Sequence, residues 1–278
     1  MMQKYILNFT PTGMIPTKEH TPHIPISPSE IVDDVLRARE LGITLVHLHA
    51  RDELGIPTYK VAYYAEIIEK IRTYAKELVL CVSLSGRNFN EFEKRSEVLS
   101  LYPDMGSLTL SSLNFSASAS VNSPDMITNL ALAMNALGVK PELEVFDLGM
   151  INYAHYLIKK DILKPPFYFN IITGNVAGIQ PDPDQLGVAI RYLPADSYWA
   201  LGGIGPAQLN ANMMALSSGG GVRVGLEDNI FYDVSKSIKA TNIQLIQRIH
   251  AIAEILERPM MTPFEFGNLG FYNINRSK

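Results

Sequence analysis

Short β-rich runs alternate with amphipathic helical stretches along the whole of this sequence, a pattern that few folds accommodate. The β-rich runs fall at 5–11, 44–50, 78–85, 106–112, 141–147, 167–173, 197–202 and 221–226. Helical patterns follow at 28–41, 61–76, 90–101, 124–137, 150–161, 183–193, 207–217 and 237–257. Helix starts are marked by Ser27-Pro28-Ser29-Glu30, a capping box with Pro at the first helical position, and by Asp182-Pro183 and Ser123-Pro124. Gly42 and Gly138 mark helix ends. Eight consecutive βα units predict a single α/β domain over 1–278, a closed (β/α)8 TIM barrel. A doubly wound sheet would more often carry fewer strands and a glycine-rich nucleotide fingerprint after the first.

Composition narrows the class of protein. With 47% hydrophobic and 19% charged residues the chain is too apolar for disorder. A net charge of −4 without any run of Lys or Arg excludes a nucleic-acid or anionic-membrane binder and points to small-molecule partners. No signal-peptide pattern opens the sequence, and no apolar run approaches the roughly 20 residues that span a bilayer, so a soluble, cytoplasmic protein is expected. Cys81 is the one cysteine, which rules out a disulfide framework or thiolate cluster. Any metal must be held by His and carboxylate.

Side chains alternate faces along a strand, so each run sorts into a set facing the helices and a set facing the barrel axis. Val46, Leu48 and Ala50 oppose His47, His49 and Leu45; Val82 and Leu84 oppose Ser83 and Ser85. Leu108 and Leu110 oppose Ser107, Thr109 and Ser111; Leu143 and Val145 oppose Glu142 and Glu144. In the last run Val222, Val224 and Leu226 oppose Arg223, Gly225 and Glu227. Barrel interiors are ordinarily filled by branched aliphatics, so polar inward sets on five strands predict a polar cavity. Buried polar groups there cost several kcal/mol unless paired or metal-bound, which marks them as a site.

His47 and His49 lie about 7 Å apart at the backbone on one strand face, close enough to converge on one ion, and they sit at the strand's C-terminal end, where this fold builds active sites. Glu227, on another even-numbered strand, is the expected third ligand, with Glu144 the competing carboxylate. Two His and one carboxylate fit catalytic zinc and also non-haem iron; nothing in the sequence suggests oxygen activation, so zinc is favoured. Arg223 is placed to hold a substrate carboxylate or to pair with Glu144 or Asp228, and Asp228 to act as a general base. Ser83, Ser85, Gly86, Ser107 and Asn114 are candidate donors to a carboxylate or oxyanion. Gly203 and Gly205, within the glycine run after the seventh strand, are candidates to hold a phosphate or an acyl-CoA tail. His20 and His23 fall in a Pro-rich loop able to approach the site as a lid; His155 and His250 fall in helices. A non-haem iron oxygenase on the same triad and a metal-free phosphate-ligand isomerase using Glu144 remain as rival readings.

Thr12-Gly13, His47-Leu48-His49-Ala50-Arg51-Asp52, Ser83-Leu84-Ser85-Gly86-Arg87, Pro141 to Asp147, Gly202 to Gly205 and Val222-Arg223-Val224-Gly225-Leu226-Glu227-Asp228-Asn229, in this order, resemble the β-keto acid cleavage enzymes over nearly the whole chain. The resemblance implies a zinc-dependent TIM barrel, commonly a homotetramer, that exchanges an acyl unit between a β-keto acid and the co-substrate acetyl-CoA, leaving acetoacetate and a new acyl-CoA. It implies that His47, His49 and Glu227 bind zinc, that Asp228 is the base, that Arg223 orients it and the substrate, and that Ser83, Ser107 and Glu144 line the pocket. Family members acting on an amino-keto acid carry an acidic residue two positions after the Thr-Gly glycine, where this chain has Ile15. An isoleucine cannot neutralise a buried ammonium, so a neutral, apolar acyl group is expected unless Glu19 of the same loop substitutes.

Overall fold

A computed structural model describes residues 4–277. Eight parallel strands close into a barrel: β1 (Leu7–Phe9), β2 (Leu45–Leu48), β3 (Val79–Val82), β4 (Met105–Thr109), β5 (Lys140–Val145), β6 (Phe167–Thr173), β7 (Ser197–Gly203) and β8 (Gly221–Val224). Each strand pairs with its sequence neighbours, and β8 returns to β1, setting Asn8 opposite Arg223. Helices α1 (Pro28–Leu41), α2 (Val61–Tyr74), α3 (Phe92–Ser96), α4 (Pro124–Leu137), α5 (Leu148–Lys159), α6 (Pro183–Tyr192) and α7 (Ala207–Ser217) occupy the crossovers, and α8 (Asn242–Ile255) follows the last strand. The (β/α)8 architecture is therefore the one the alternation predicts. Among the described residues no helix is long and apolar enough to cross a membrane.

The caps act where the sequence places them. Ser27 and Glu30 complete the capping box of α1, Ser123 accepts from the N–H of Met126, and Asp182 accepts from those of Asp184 and Gln185. Most expected bounds fall within two residues of the observed ones, and two helices differ by more. The segment expected as one helix at 90–101 is α3 followed by a 3-10 turn over Glu97–Leu101. The last helix begins at Asn242, not at 237, because Thr241 and Gln244 form a capping box there. The residues just before it form a loop in which Asp233 accepts from Ser235, Ser237 and the Ile238 N–H.

Strand parity stratifies the interior. Leu45, Val79, Cys81, Met105, Tyr168 and Ala200 form an apolar floor with Ile6. Above it lies a polar layer containing Asn8, His47, Ser107, Glu142, Asn170 and Arg223, all buried. The outward residues of the same strands, among them Val46, Leu48, Leu108, Leu143 and Val222, pack under the helices as the main apolar core. Polar side chains enter the barrel only where apolar ones hold the opposite strand face against the helices.

Candidate metal centre and active-site cavity

His47 and His49 project from the end of β2 into the barrel, with ring centroids 5.1 Å apart and Nε2 atoms 3.3 Å apart. Glu227, just past β8, brings Oε1 to 3.2 Å from His49 Nε2. One ligand atom from each of these three residues lies within 4.8 Å of the others. Glu144 does not belong to this group; its carboxylate is turned to Thr109, whose hydroxyl donates to it at 2.7 Å. Among the described residues the structure therefore brings Glu227, and not Glu144, to the histidine pair.

Behind His47 stands a carboxylate that the sequence placed on the inward face without assigning it a task. Glu142 is fully buried and its Oε2 lies 2.5 Å from His47 Nδ1. Its other oxygen accepts from the amides of Asn8 at 2.6 Å and Asn170 at 3.1 Å. A carboxylate on Nδ1 fixes the ring with its Nε2 lone pair facing the cavity, the tautomer a metal ligand needs. Burial opposes the charge of His47, but Glu142 and Glu227 overcome it and raise its pKa to about 9. Burial dominates at His49 and lowers its pKa.

Arg223 organises the carboxylates at the barrel mouth. Its Nε and Nη2 donate to Asp228 at 2.8 and 3.2 Å, and Nη2 also donates to Glu227 at 2.8 Å. Its Nη1 makes no hydrogen bond and lies 3.7 Å from Glu144. Of the roles open to Arg223, the structure shows the pairing with Asp228. Burial alone would raise the pKa of Glu227; Arg223 and the two histidines hold it well below the usual carboxylate range. At Asp228 the order reverses: burial and the neighbouring Glu227 leave its pKa raised despite Arg223.

These groups line a cavity of about 430 Å³ that opens at the C-terminal ends of the strands. Ile15, Ser83, Ser85 and Gly205 line it with them, as does His20. Four predicted contacts fall elsewhere, each for a packing reason. A Cβ on Gly86 would stand 2.6 Å from both Arg95 and the Val121 carbonyl, and one on Gly203 would stand 2.5 Å from the Ala207 backbone, so both glycines serve close approach. Ser107 is spent on the Leu84 N–H, which it accepts at 3.0 Å. Asn114 is exposed, and its carbonyl holds Asn175. His23 and Glu19 also stand off the cavity.

Residues 4–268 match the family model described as beta-keto acid cleavage enzyme. The chain belongs to the β-keto acid cleavage enzyme family. It is 34% identical to the 3-keto-5-aminohexanoate cleavage enzyme of Acetoanaerobium sticklandii over 95% of this chain and 97% of that one. It is also 34% identical to the 3-oxoadipate:acetyl-CoA acetyltransferase of Cupriavidus necator, over 94% and 93% of the two chains. Its barrel superposes on that of apo ObcA with a TM-score of 0.83 at 19% identity, covering 92% of this chain and 67% of that one, a likeness of fold. Of the three readings the sequence left open, membership selects the enzyme that cleaves a carbon–carbon bond and transfers an acyl group.

Proposed function

We propose that this enzyme condenses a β-keto acid with acetyl-CoA and releases acetoacetate and a new acyl-CoA, using a zinc ion held by His47, His49 and Glu227. The observation that carries the reading is the convergence of those three side chains on one point of the open cavity, beside an Asp228 carboxylate clamped by Arg223. The donor set fits the ion. Two imidazole nitrogens face each other at 3.3 Å, Glu227 brings Oε1 to 3.2 Å from one of them, and its Oε2 is buried without a partner, so the three side chains offer donors to one point. Bound there, zinc would supply Lewis acidity to the keto carbonyl and stabilise negative charge developing on its oxygen.

The chain's own residues carry the proton and the geometry. Asp228, its pKa raised by burial, takes the C2 proton of the keto acid; Arg223 holds the carboxylate in place, and while Oδ2 also accepts from the Thr10 hydroxyl at 3.5 Å, Oδ1 keeps a free lone pair for the proton. The C2 carbanion attacks the acetyl carbonyl and displaces the CoA thiolate. That thiolate adds to the original keto carbon, and the C2–C3 bond breaks. Its electron pair stays on the acetoacetate carbon, which recovers the proton from Asp228. Ser83 and Ser85 offer hydroxyls from the β3 end. The acyl chain meets Met14, Ile15, Leu113 and Phe115, and Glu19 is exposed away from the cavity. None of these four carries a carboxylate, so an ammonium on the chain would have no counter-ion beside it, and the substrate is a keto acid with a neutral, apolar acyl group.

Mass spectrometry of the CoA products formed from acetyl-CoA and a panel of β-keto acids tests the reading. Acyl-CoA from neutral keto acids together with acetoacetate is expected. Preference for an amino-keto acid would overturn the substrate class, and absence of any acetyl-CoA-dependent product would overturn the reaction. Metal analysis of protein purified without added metal should find zinc; iron in its place would remove the ion from the proposal.

A further inference from the structure

We propose that Arg87 is the carboxylate-recognising residue of this cavity, taking the carboxylate of the incoming β-keto acid on the free edge of its guanidinium. The inference rests on the reading above for the identity of the ligand, and on charge and geometry for the residue.

The cavity mouth is already rich in carboxylates. Asp228, Glu227 and Glu144 all lie within 4 Å of Arg223, and that guanidinium directs three of its donor contacts to the first two. A further carboxylate arriving with the substrate needs a cation whose N–H groups do not already donate to this trio; Arg87 feels the charges of Glu227 and Glu144 through space but donates to neither. Arg87 lines the same cavity from the loop after β3 and is half-buried. Its guanidinium carbon stands 3.7 Å from the centroid of the Phe115 ring, and Phe115 meets Phe146 edge-on at 5.6 Å. Stacking of this kind fixes the plane of a guanidinium while using none of its N–H groups. Among the described residues no hydrogen bond or ion pair engages those N–H groups. The Arg87 backbone is itself tied down, donating its N–H to Ser85 Oγ at 3.3 Å. A half-buried, oriented and unspent guanidinium presents the fork that matches a carboxylate bidentately. Lys236, the other cation at the rim free of an ion pair, is exposed on the loop after β8, where its ammonium stays hydrated.

The test compares binding of acetoacetate, itself a β-keto acid, with that of its neutral isostere acetoacetamide, by calorimetry without acetyl-CoA, in wild type, R87M, R87Q and K236M. The glutamine variant keeps a planar group able to remain over Phe115 if the methionine disturbs the loop. Wild type and K236M should prefer acetoacetate, and both Arg87 variants should lose about tenfold or more of that preference, with acetoacetamide affinity and KM for acetyl-CoA unchanged. Equal weakening of both ligands would reduce Arg87 to packing. A raised KM for acetyl-CoA with the preference intact would assign it to the CoA phosphates, and loss of preference in K236M alone would move the role to the lysine. The binding comparison is independent of turnover, so failure of the acyl exchange would be seen separately in the product assay.

Discussion

At the scale of the residue, the site is set by what the first carboxylate on β5 does for the first histidine on β2. Glu142 is anchored by Asn8, Asn170 and the Cys81 thiol, the last at 3.3 Å, and so presents one fixed oxygen to His47 Nδ1. Replacing Glu142 with Gln keeps the volume and removes the charge that orients the ring. Zinc affinity should fall about 10–100-fold, read by competition with a chromophoric chelator, while the thermal midpoint moves little. Unchanged affinity would make the contact ornamental to metal binding. Alternation along the β2 and β8 runs displayed His47, His49 and Arg223 in the sequence, because each has apolar neighbours on both sides, and carried the same parity on to Glu227 after Leu226. Asn8 and Asn170 were not visible in the same way. β1 is only three residues long, and every residue of β6 is buried, so polarity in β6 signals the inward face only at Asn170, among aromatic and aliphatic neighbours. Arg87 escaped for another reason: its partner Phe115 lies on a separate loop, and no spacing in the sequence announces a stacking pair.

At the scale of the element, loops rather than strands decide what reaches the candidate metal centre. Arg51, the largest of the fully buried side chains, donates to the carbonyls of Gly13 and Pro16, the latter at 2.8 Å, and to that of Gly55 at 3.1 Å. It thereby clamps both ends of the turn that carries Met14 and Ile15. The same turn backs onto the carboxylate of the candidate metal site, since a Cβ at Gly13 would stand 2.4 Å from Glu227 Cγ. Substitution of Arg51 by Met leaves those carbonyls unmet, at about 1–3 kcal/mol for each one that finds no water. Faster amide exchange across 13–17 and a higher KM for the keto acid are expected; unaltered exchange there would show that the turn holds itself. The sequence placed Arg51 beside the histidines but offered no sign of its partners Gly13 and Pro16, which lie more than thirty residues away. Helix α1, by contrast, was legible to the residue. Burial alone would raise the pKa of Glu30, but Lys18 and the N–H groups of Ser27 and Ile26 lower it to about 2. A carboxylate with a depressed pKa stabilises the fold above its ordinary value of about 4.5 and loses that contribution as pH falls toward 2. Glu30→Gln should therefore flatten the acid limb of stability between those limits, measured as the thermal midpoint against pH, and leave the neutral-pH dependence unchanged.

At the scale of the whole molecule, the barrel is sealed at one end so that it can be polar at the other. Eight βα repeats were enough to predict closure, yet they leave the N-terminal end of the barrel to be filled, and the residues that fill it lie outside the repeat. Phe266 and Phe271, stacked 4.2 Å apart with their planes 9° from parallel, close the floor against Tyr168. No periodicity marks this segment, because it comprises a four-residue helix at Pro263–Phe266 and a turn, and its apolar residues face a surface made by other strands. It is tied back across the fold by Asp104, which accepts from the Asn273 N–H at 3.0 Å and pairs with Arg276 at 3.2 Å. Floor and polar layer therefore divide the interior between stability and the proposed chemistry. Phe271→Ala should cost about 3–5 kcal/mol in chemical denaturation, the range for truncating a buried aromatic, while kcat at 25 °C stays close to that of the wild type. The reverse pattern, lost turnover with stability retained, would mean that the floor transmits to the site, and the separation of the two layers would not hold.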